Sequence, residues 1–209
     1  MKRLRGVVSL AAALIVGATS AASAQVSFTG TTSFRFNGAG LFTSTATYQG
    51  LTVNSGAFSV FTGFVGDIQG LSNIGSLKLM NPPNFDYNAG SGTSLDVRFT
   101  FATPNTSQQT FNADITGNIT SNATGVLVSF FPSAISNIPF TLPGVTGTFR
   151  ISMFDIGATA GAANPTDFSG SIKEQSYTNT STTPEPASMV LLGTGLLGVV
   201  GIARRRRNK

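Results

Sequence analysis

The chain has 209 residues, of which 41% are hydrophobic and only 10% are charged, and its formal net charge is +5. Eight of the thirteen basic residues lie in the first five and last six positions, so residues 25–183 hold five basic against seven acidic side chains. This central segment lacks the clustered basic surface that binds phosphate, which argues against nucleic acid as a partner. The absence of His and Cys excludes Ser-His-Asp and Cys-His catalysis, the usual zinc sites and disulfides, and no cofactor is expected.

Residues 1–24 have the three parts of a secretory signal peptide and are predicted to form an N-terminal signal helix. A basic start is followed by a short apolar run from Val7 to Val16, and Ala22 and Ala24 form the small-x-small site that signal peptidase cuts. We expect export through the Sec translocon and a cut before Gln25. A buried N-terminal helix is the alternative, but the basic start and the Ala-x-Ala-like end favour the signal peptide.

Residues 25–177 are predicted to form one all-β body. Apolar and polar residues alternate with period two in several short segments, which is typical of strands with one buried face. The segments are Phe28 to Phe36, Phe58 to Val60, Leu95 to Phe101, Phe111 to Thr116, Val126 to Phe130 and Phe149 to Met153. Turn residues such as Asn37-Gly38 and Asn54-Ser55-Gly56 separate them. The pattern predicts an antiparallel two-sheet β-sandwich, and a jelly-roll-like variant also fits.

Few residues of the body suggest chemistry. Asp96 and Asp114 are each expected on the exposed polar face of a strand, where a carboxylate pair for glycoside hydrolysis would have to form. Calcium would find clustered oxygens in Asp86-Tyr87-Asn88 and in Asn164-Pro165-Thr166-Asp167, although neither has the spacing of a known calcium loop. Solvated aspartates without a ligand are the simpler interpretation of both patterns.

Sugar binding has one weak ligand candidate. Carbohydrate platforms use exposed Trp or Tyr rings, and this chain has no Trp and three Tyr. Tyr87 lies in the Pro-, Gly- and Asn-rich segment 81–92 and is the best of the three. A loop tyrosine with no ligand remains the more common case.

The end of the chain contains three unlike parts in a fixed order. A polar Ser/Thr linker, residues 178–183, leads to Pro184, Glu185 and Pro186, and then to an uncharged apolar run from Ala187 to Ala203. A transmembrane helix over 187–203 would rise about 25 Å, near the lower limit for a bilayer core. The two prolines favour an extended backbone before it, which suits a protease or transpeptidase cleft.

A basic cluster closes the chain. Arg204, Arg205, Arg206 and Arg207 directly follow the apolar run. Arginines at the end of such a run stop translocation and stay on the cytoplasmic side. With the N-terminus exported, the predicted helix has one orientation that satisfies both of its ends.

This order resembles the PEP-CTERM sorting signal of Gram-negative bacteria, and the resemblance covers about residues 184–209. It implies that the chain is a substrate of an exosortase, a membrane-embedded cysteine transpeptidase-like enzyme. It also implies a setting of exopolysaccharide and biofilm production. An ordinary membrane tail would explain the helix and the arginines but not the Pro-Glu-Pro.

The sequence therefore predicts an exported, non-enzymatic protein of the cell surface or extracellular matrix, held in the inner membrane by its tail until processing. Its expected partners are signal peptidase, the Sec translocon, the exosortase and the membrane, with polysaccharide as a candidate. Two alternatives are left open: a carbohydrate-binding or adhesive module of the same architecture, and a secreted hydrolase that uses carboxylates alone.

Overall fold

The computed structural model describes residues 25–80, 84–88, 92–119 and 125–180. Within these ranges the chain forms fifteen strands and no helix, which confirms the predicted all-β fold. The strands are β1 (Val26–Phe36), β2 (Thr45–Tyr48), β3 (Leu51–Ser55), β4 (Ala57–Thr62), β5 (Ile68–Leu71), β6 (Gly75–Leu79), β7 (Phe85–Asp86), β8 (Thr93–Thr103), β9 (Gln109–Ile119), β10 (Gly125–Phe130), β11 (Ala134–Leu142), β12 (Val145–Met153), β13 (Ile156–Thr159), β14 (Thr166–Asp167) and β15 (Gly170–Asn179).

All strand pairs in the described residues are antiparallel, but they form three sheets where two were predicted. A seven-stranded sheet has the order β13-β10-β9-β8-β1-β4, with β7 added beside β9. Two four-stranded sheets have the orders β11-β12-β15-β5 and β14-β6-β3-β2. The chain leaves one small sheet for the other between β5 and β6, because Asn73 and Gly75 have φ values of 59° and 129° that interrupt an extended strand.

The two small sheets lie side by side against one face of the seven-stranded sheet. Phe28 of β1 packs on Phe149 of β12 with ring centroids 4.8 Å apart, and Phe36 at the other end of β1 stacks on Tyr48 of β2 at 5.6 Å. Between them Phe34 stacks on Phe168, which lies where the chain passes from β14 to β15. The molecule is therefore a sandwich with a divided second layer.

Both ends of the described body leave the sandwich at the same end. Val26 pairs with Thr62 of β4, and the Thr62 hydroxyl donates to Glu174 of β15 at 2.7 Å. From there β15 runs on to its last residue, and Thr180 N–H donates to the Gly144 carbonyl at 2.8 Å. The body thus continues two residues beyond the predicted boundary at 177.

The predicted signal helix and the predicted transmembrane helix, residues 1–24 and 187–203, lie outside the described residues. Within the described ranges, no helix is long and apolar enough to cross a bilayer.

Candidate functional site

The outer face of the seven-stranded sheet carries both aspartates of the predicted carboxylate pair. Asp96 of β8 lies opposite Asn112 of β9, and Asp114 of β9 lies opposite Ser94 of β8. Antiparallel partners share a face, so the two aspartates occupy diagonal positions on neighbouring strands. The structure brings them together on one surface, but their environments differ.

Asp96 is buried, and the prediction of an exposed, solvated side chain is wrong. Its Oδ2 accepts a hydrogen bond from Arg35 Nε at 2.6 Å, and its side chain is only 8% exposed. The guanidinium groups of Arg35 and Arg98 lie 4.5 and 4.3 Å from the ring centroid of Phe42. The segment between β1 and β2 therefore folds over this part of the sheet and places an aromatic ring on its two cations. Asp96 has a charge partner and a structural role.

Asp114 is exposed and lines a shallow cleft of about 260 Å³. The cleft is bounded by Tyr87, Asn88, Gly92, Thr93, Ser94, Asp114, Ile115 and Thr116. Hydroxyl groups and one carboxylate dominate its polar lining, which are the groups that hydrogen-bond to a hydroxylated ligand. The volume is slightly below that of pockets for drug-sized ligands, so the cleft suits one small polar group.

Tyr87 does not offer a stacking face, which corrects its prediction as a sugar-binding residue. It has no exposed surface, its ring packs on Phe85 at 4.7 Å, and its hydroxyl donates to the Gln49 carbonyl at 2.5 Å. Burial and the nearby Tyr48 raise the pKa of Tyr87 to about 12, because both disfavour the phenolate. Tyr87 anchors the turn after β7 to the core.

The oxygens of the first set suggested for calcium, Asp86 and Asn88, are used within the fold. Asp86 Oδ1 accepts from Asn88 N and Nδ2 at 2.9 and 3.1 Å, and Asn88 Nδ2 also donates to the Gly117 carbonyl at 3.2 Å. The second set lies on another sheet, where Asp167 of β14 pairs with Ser76 of β6. In the described part of the chain, no three acidic side chains come close enough to hold a metal ion together.

Glu174 is a buried carboxylate that was not among the predicted site residues. It has no exposed surface, its Oε2 accepts from Thr62 Oγ1 at 2.7 Å, and its Oε1 has no hydrogen-bond partner among the described residues. The burial of Glu174 could have been predicted from the sequence, because Glu174 follows the apolar Ile172 by two positions. Residues two apart on a strand share a face, and Ile172 is fully buried.

The loop between β4 and β5 lies beside Glu174 and is held by Asp67. Asp67 Oδ2 accepts from Gly63 N at 2.8 Å and from Gln69 Nε2 at 3.0 Å. The hydrogen bond from Gly63, then that from Gln69, lowers the pKa of Asp67 from its ordinary value of 3.8. The charged carboxylate fixes a loop whose tip carries Phe64 and Val65.

The residues predicted for sorting and processing lie largely outside the described residues. They are Ala22, Ala24, Pro184, Glu185, Pro186, Arg204, Arg205, Arg206 and Arg207. Gln25, the predicted first residue after signal cleavage, is the first described residue, and it is exposed immediately before β1.

Comparison with known proteins identifies the tail. The PEP-CTERM protein-sorting motif matches residues 182–207, as the resemblance predicted. The motif supports an exported protein that is recognised and processed by an exosortase, with a cell-envelope or surface location. The search of curated proteins gives no match, and the search of solved structures gives none either.

Proposed function

We propose that the chain is a non-enzymatic protein of the cell surface or extracellular matrix of a Gram-negative bacterium, with a structural or interaction role among exopolysaccharide or in a biofilm. The supporting observation is the sorting motif at residues 182–207, which begins two residues after the last described residue of the folded body. A compact β body followed at once by a sorting signal suits a protein that is delivered outside as a finished domain.

The proposed route has two cuts. Signal peptidase removes residues 1–24 after Sec export, and the tail holds the protein in the inner membrane until the exosortase acts. Gln25 is exposed and the first strand begins at Val26, so the first cut would leave every described strand intact. The last strand ends at Asn179, so a second cut near Pro186 would do the same.

Mass spectrometry of the mature protein tests the sorting step. In cells with an exosortase, peptides from about residue 186 onward should be missing, and Pro184→Ala with Pro186→Ala should restore them. Pro165→Ala, at an exposed proline of the body, is the matched control and should be processed normally. A mature protein that keeps Arg204 to Arg207 in its own host would rule out the proposal.

The carbohydrate-binding or adhesive alternative would use the cleft beside Asp114. Its hydroxyls and carboxylate could hydrogen-bond a sugar, whereas the buried Tyr87 could not stack on one. A glycan array with the exported protein would support this function if binding disappears in Asp114→Ala and persists in Asp167→Ala. Binding that survives Asp114→Ala would exclude the cleft as the sugar-binding site.

The hydrolase alternative needs two available carboxylates. Asp114 is available, but the Asp96 side chain is only 8% exposed and is paired with Arg35, whose guanidinium group lies on the Phe42 ring. We therefore propose that the body has no catalytic activity. Polysaccharide turnover that is lost in both Asp96→Asn and Asp114→Asn would reverse this conclusion.

A further inference from the structure

Four large apolar side chains are exposed around one corner of the sandwich. Phe61 is 52% exposed, Phe64 62%, Val65 50% and Ile68 60%. They lie at the end of β4, in the following loop and at the start of β5, and we call them the apolar corner. Exposed apolar clusters of this kind mark contacts with a partner or a membrane.

The apolar corner wraps around the sandwich and does not form a flat patch. Phe61 pairs with Ser27 and therefore points to the outer face of the seven-stranded sheet. Ile68 pairs with Lys173 and points to the outer face of the opposite layer. Phe64 and Val65 occupy the loop between them. A flat protein surface could cover only one of these faces at a time. Lipid molecules, by contrast, would contact all sides of the corner if it were inserted into a bilayer.

The position of the corner relative to the tail places it near the membrane. Thr62, directly before the loop, contacts both Val26 and Glu174, so the corner lies beside the first residue of β1 and about 17 Å, or five strand residues, before the end of β15. Six residues, 181–186, separate Thr180 from Ala187, the first residue of the apolar run, and the seven steps between the two residues span at most about 25 Å. While that run lies in a bilayer, this end of the sandwich is held close to the lipid surface.

Two cations stand beside the corner. Lys173 lies opposite Ile68 on one side and opposite Arg150 on the other, so the three side chains form a row on one outer face. No carboxylate in the described ranges forms an ion pair with either cation. Aromatic and aliphatic side chains next to Lys and Arg are typical of segments that bind the interface of anionic bilayers.

We propose that the apolar corner inserts into the headgroup region of an anionic phospholipid bilayer and orients the body while its tail is anchored. This inference rests on the proposed function, because the tail supplies the proximity. Asp67 supports it by holding the loop in one conformation through Gly63 and Gln69, so little ordering is needed on insertion. A body fixed in this way would hold Thr180, its last described residue, in a constant orientation to the membrane, where a membrane-embedded enzyme acts.

Single tryptophans can report the insertion, because the chain has no Trp of its own. The chain would be reconstituted in vesicles of phosphatidylethanolamine and phosphatidylglycerol, with and without brominated acyl chains, as Phe64→Trp and as Leu41→Trp. Leu41 is 86% exposed and follows the far end of β1, whose eleven residues span about 35 Å. It is the matched control for an exposed apolar side chain at the opposite end.

We expect bromine to quench Phe64→Trp several-fold more than Leu41→Trp, with emission shifted to shorter wavelength. Adding Arg150→Gln and Lys173→Gln should reduce the quenching of Phe64→Trp. Flotation of the protein together with the vesicles tests separately whether the tail anchors the protein in the bilayer. Vesicle-bound protein with equal quenching at both positions would overturn the inference but not the anchor. A wavelength shift that depends on protein concentration would also overturn the inference, because a second copy of the chain would then cover the corner. Protein that does not float would overturn both the anchor and the inference.

Discussion

At the scale of single residues, Glu174 shows how a polar group is held in an apolar core. Its carboxylate lies in the core near Phe149 and receives one hydrogen bond, from Thr62 of β4, while its second oxygen has no partner among the described residues. A buried polar group with a single hydrogen bond depends strongly on that bond. Thr62 and Glu174 therefore form a unit that joins the last strand to the edge of the seven-stranded sheet.

Removing the Thr62 hydroxyl should cost more stability than changing the Glu174 carboxyl group to an amide. Thr62→Val leaves the carboxylate without its donor, and we expect a loss of about 1–3 kcal/mol in the free energy of unfolding. Glu174→Gln keeps an acceptor for Thr62, so it should cost less than Thr62→Val. Denaturant unfolding measures both, with Thr31→Val at an exposed position of β1 as the control. Equal stability of Thr62→Val and the original chain would contradict this account.

Tyr87 should make stability depend on pH in the alkaline range. Its pKa in the folded protein is about 12 against an ordinary value of 10.0, so the unfolded chain loses this proton first. The stability that the neutral phenol contributes is complete below about pH 10 and is lost as the pH rises toward 12.

Tyr87→Phe should remove that contribution and also cost about 1 kcal/mol at neutral pH, since the Gln49 carbonyl loses its donor. Unfolding midpoints measured across the alkaline pH range would show the smaller loss of stability in Tyr87→Phe. Tyr177→Phe, the control, should keep the pH dependence of the original chain. An unchanged profile in Tyr87→Phe would mean that other groups cause the alkaline loss.

At the scale of elements, β1 is paired on both sides, with β4 and with β8, and has no room for one additional carbon at Gly30. A Cβ there would contact the Thr100 carbonyl and lie 2.7 Å from Phe58 Cζ, at the point where the register between β1 and β8 shifts. Gly30→Ala should therefore destabilise the body by about 1–3 kcal/mol through overpacking. Gly70→Ala on β5, where a Cβ meets open space, should be neutral or slightly stabilising. Thermal unfolding of the two variants checks this, and a stable Gly30→Ala would show that β8 can move away.

Strands and their buried faces could be predicted from the sequence because alternation is a local property. Phe28, Phe34 and Phe36 were predicted to share a face, and all three are buried on the same side of β1. The number of sheets and the burial of Asp96 could not be predicted in this way. Both depend on contacts between residues far apart, such as Arg35 with Asp96, 61 positions away.

In the candidate site, too, local features could be predicted from the sequence and long-range contacts could not. The sorting motif was found because its parts are contiguous in the sequence. The cleft beside Asp114 was missed because the turn after β7 and strands β8 and β9 meet there only in the fold. Tyr87 was misplaced for the same reason, since its hydroxyl binds a carbonyl 38 positions earlier.

At the scale of the whole molecule, the three sheets enclose one hydrophobic cluster. Phe168 contacts Phe34 and Phe130 of the seven-stranded sheet and lies where the two small sheets meet. Core residues of one small sheet, such as Leu77, and of the other, such as Ile151, are both fully buried in this cluster. The chain has no disulfide to replace lost packing, so neither half of the second layer has an independent source of stability.

The body should therefore unfold as one cooperative unit although its second layer is divided. Leu77→Ala and Ile151→Ala lie in different small sheets, and each should lower the free energy of unfolding by about 2–5 kcal/mol. Because the core is shared, each variant should shift a single transition that far-ultraviolet circular dichroism and tyrosine fluorescence report at the same midpoint. Ile68→Ser, at an exposed position of β5, should leave that midpoint nearly unchanged. Two separate transitions, one moved by Leu77→Ala and the other by Ile151→Ala, would show that the small sheets are independent units and that the cluster does not couple them.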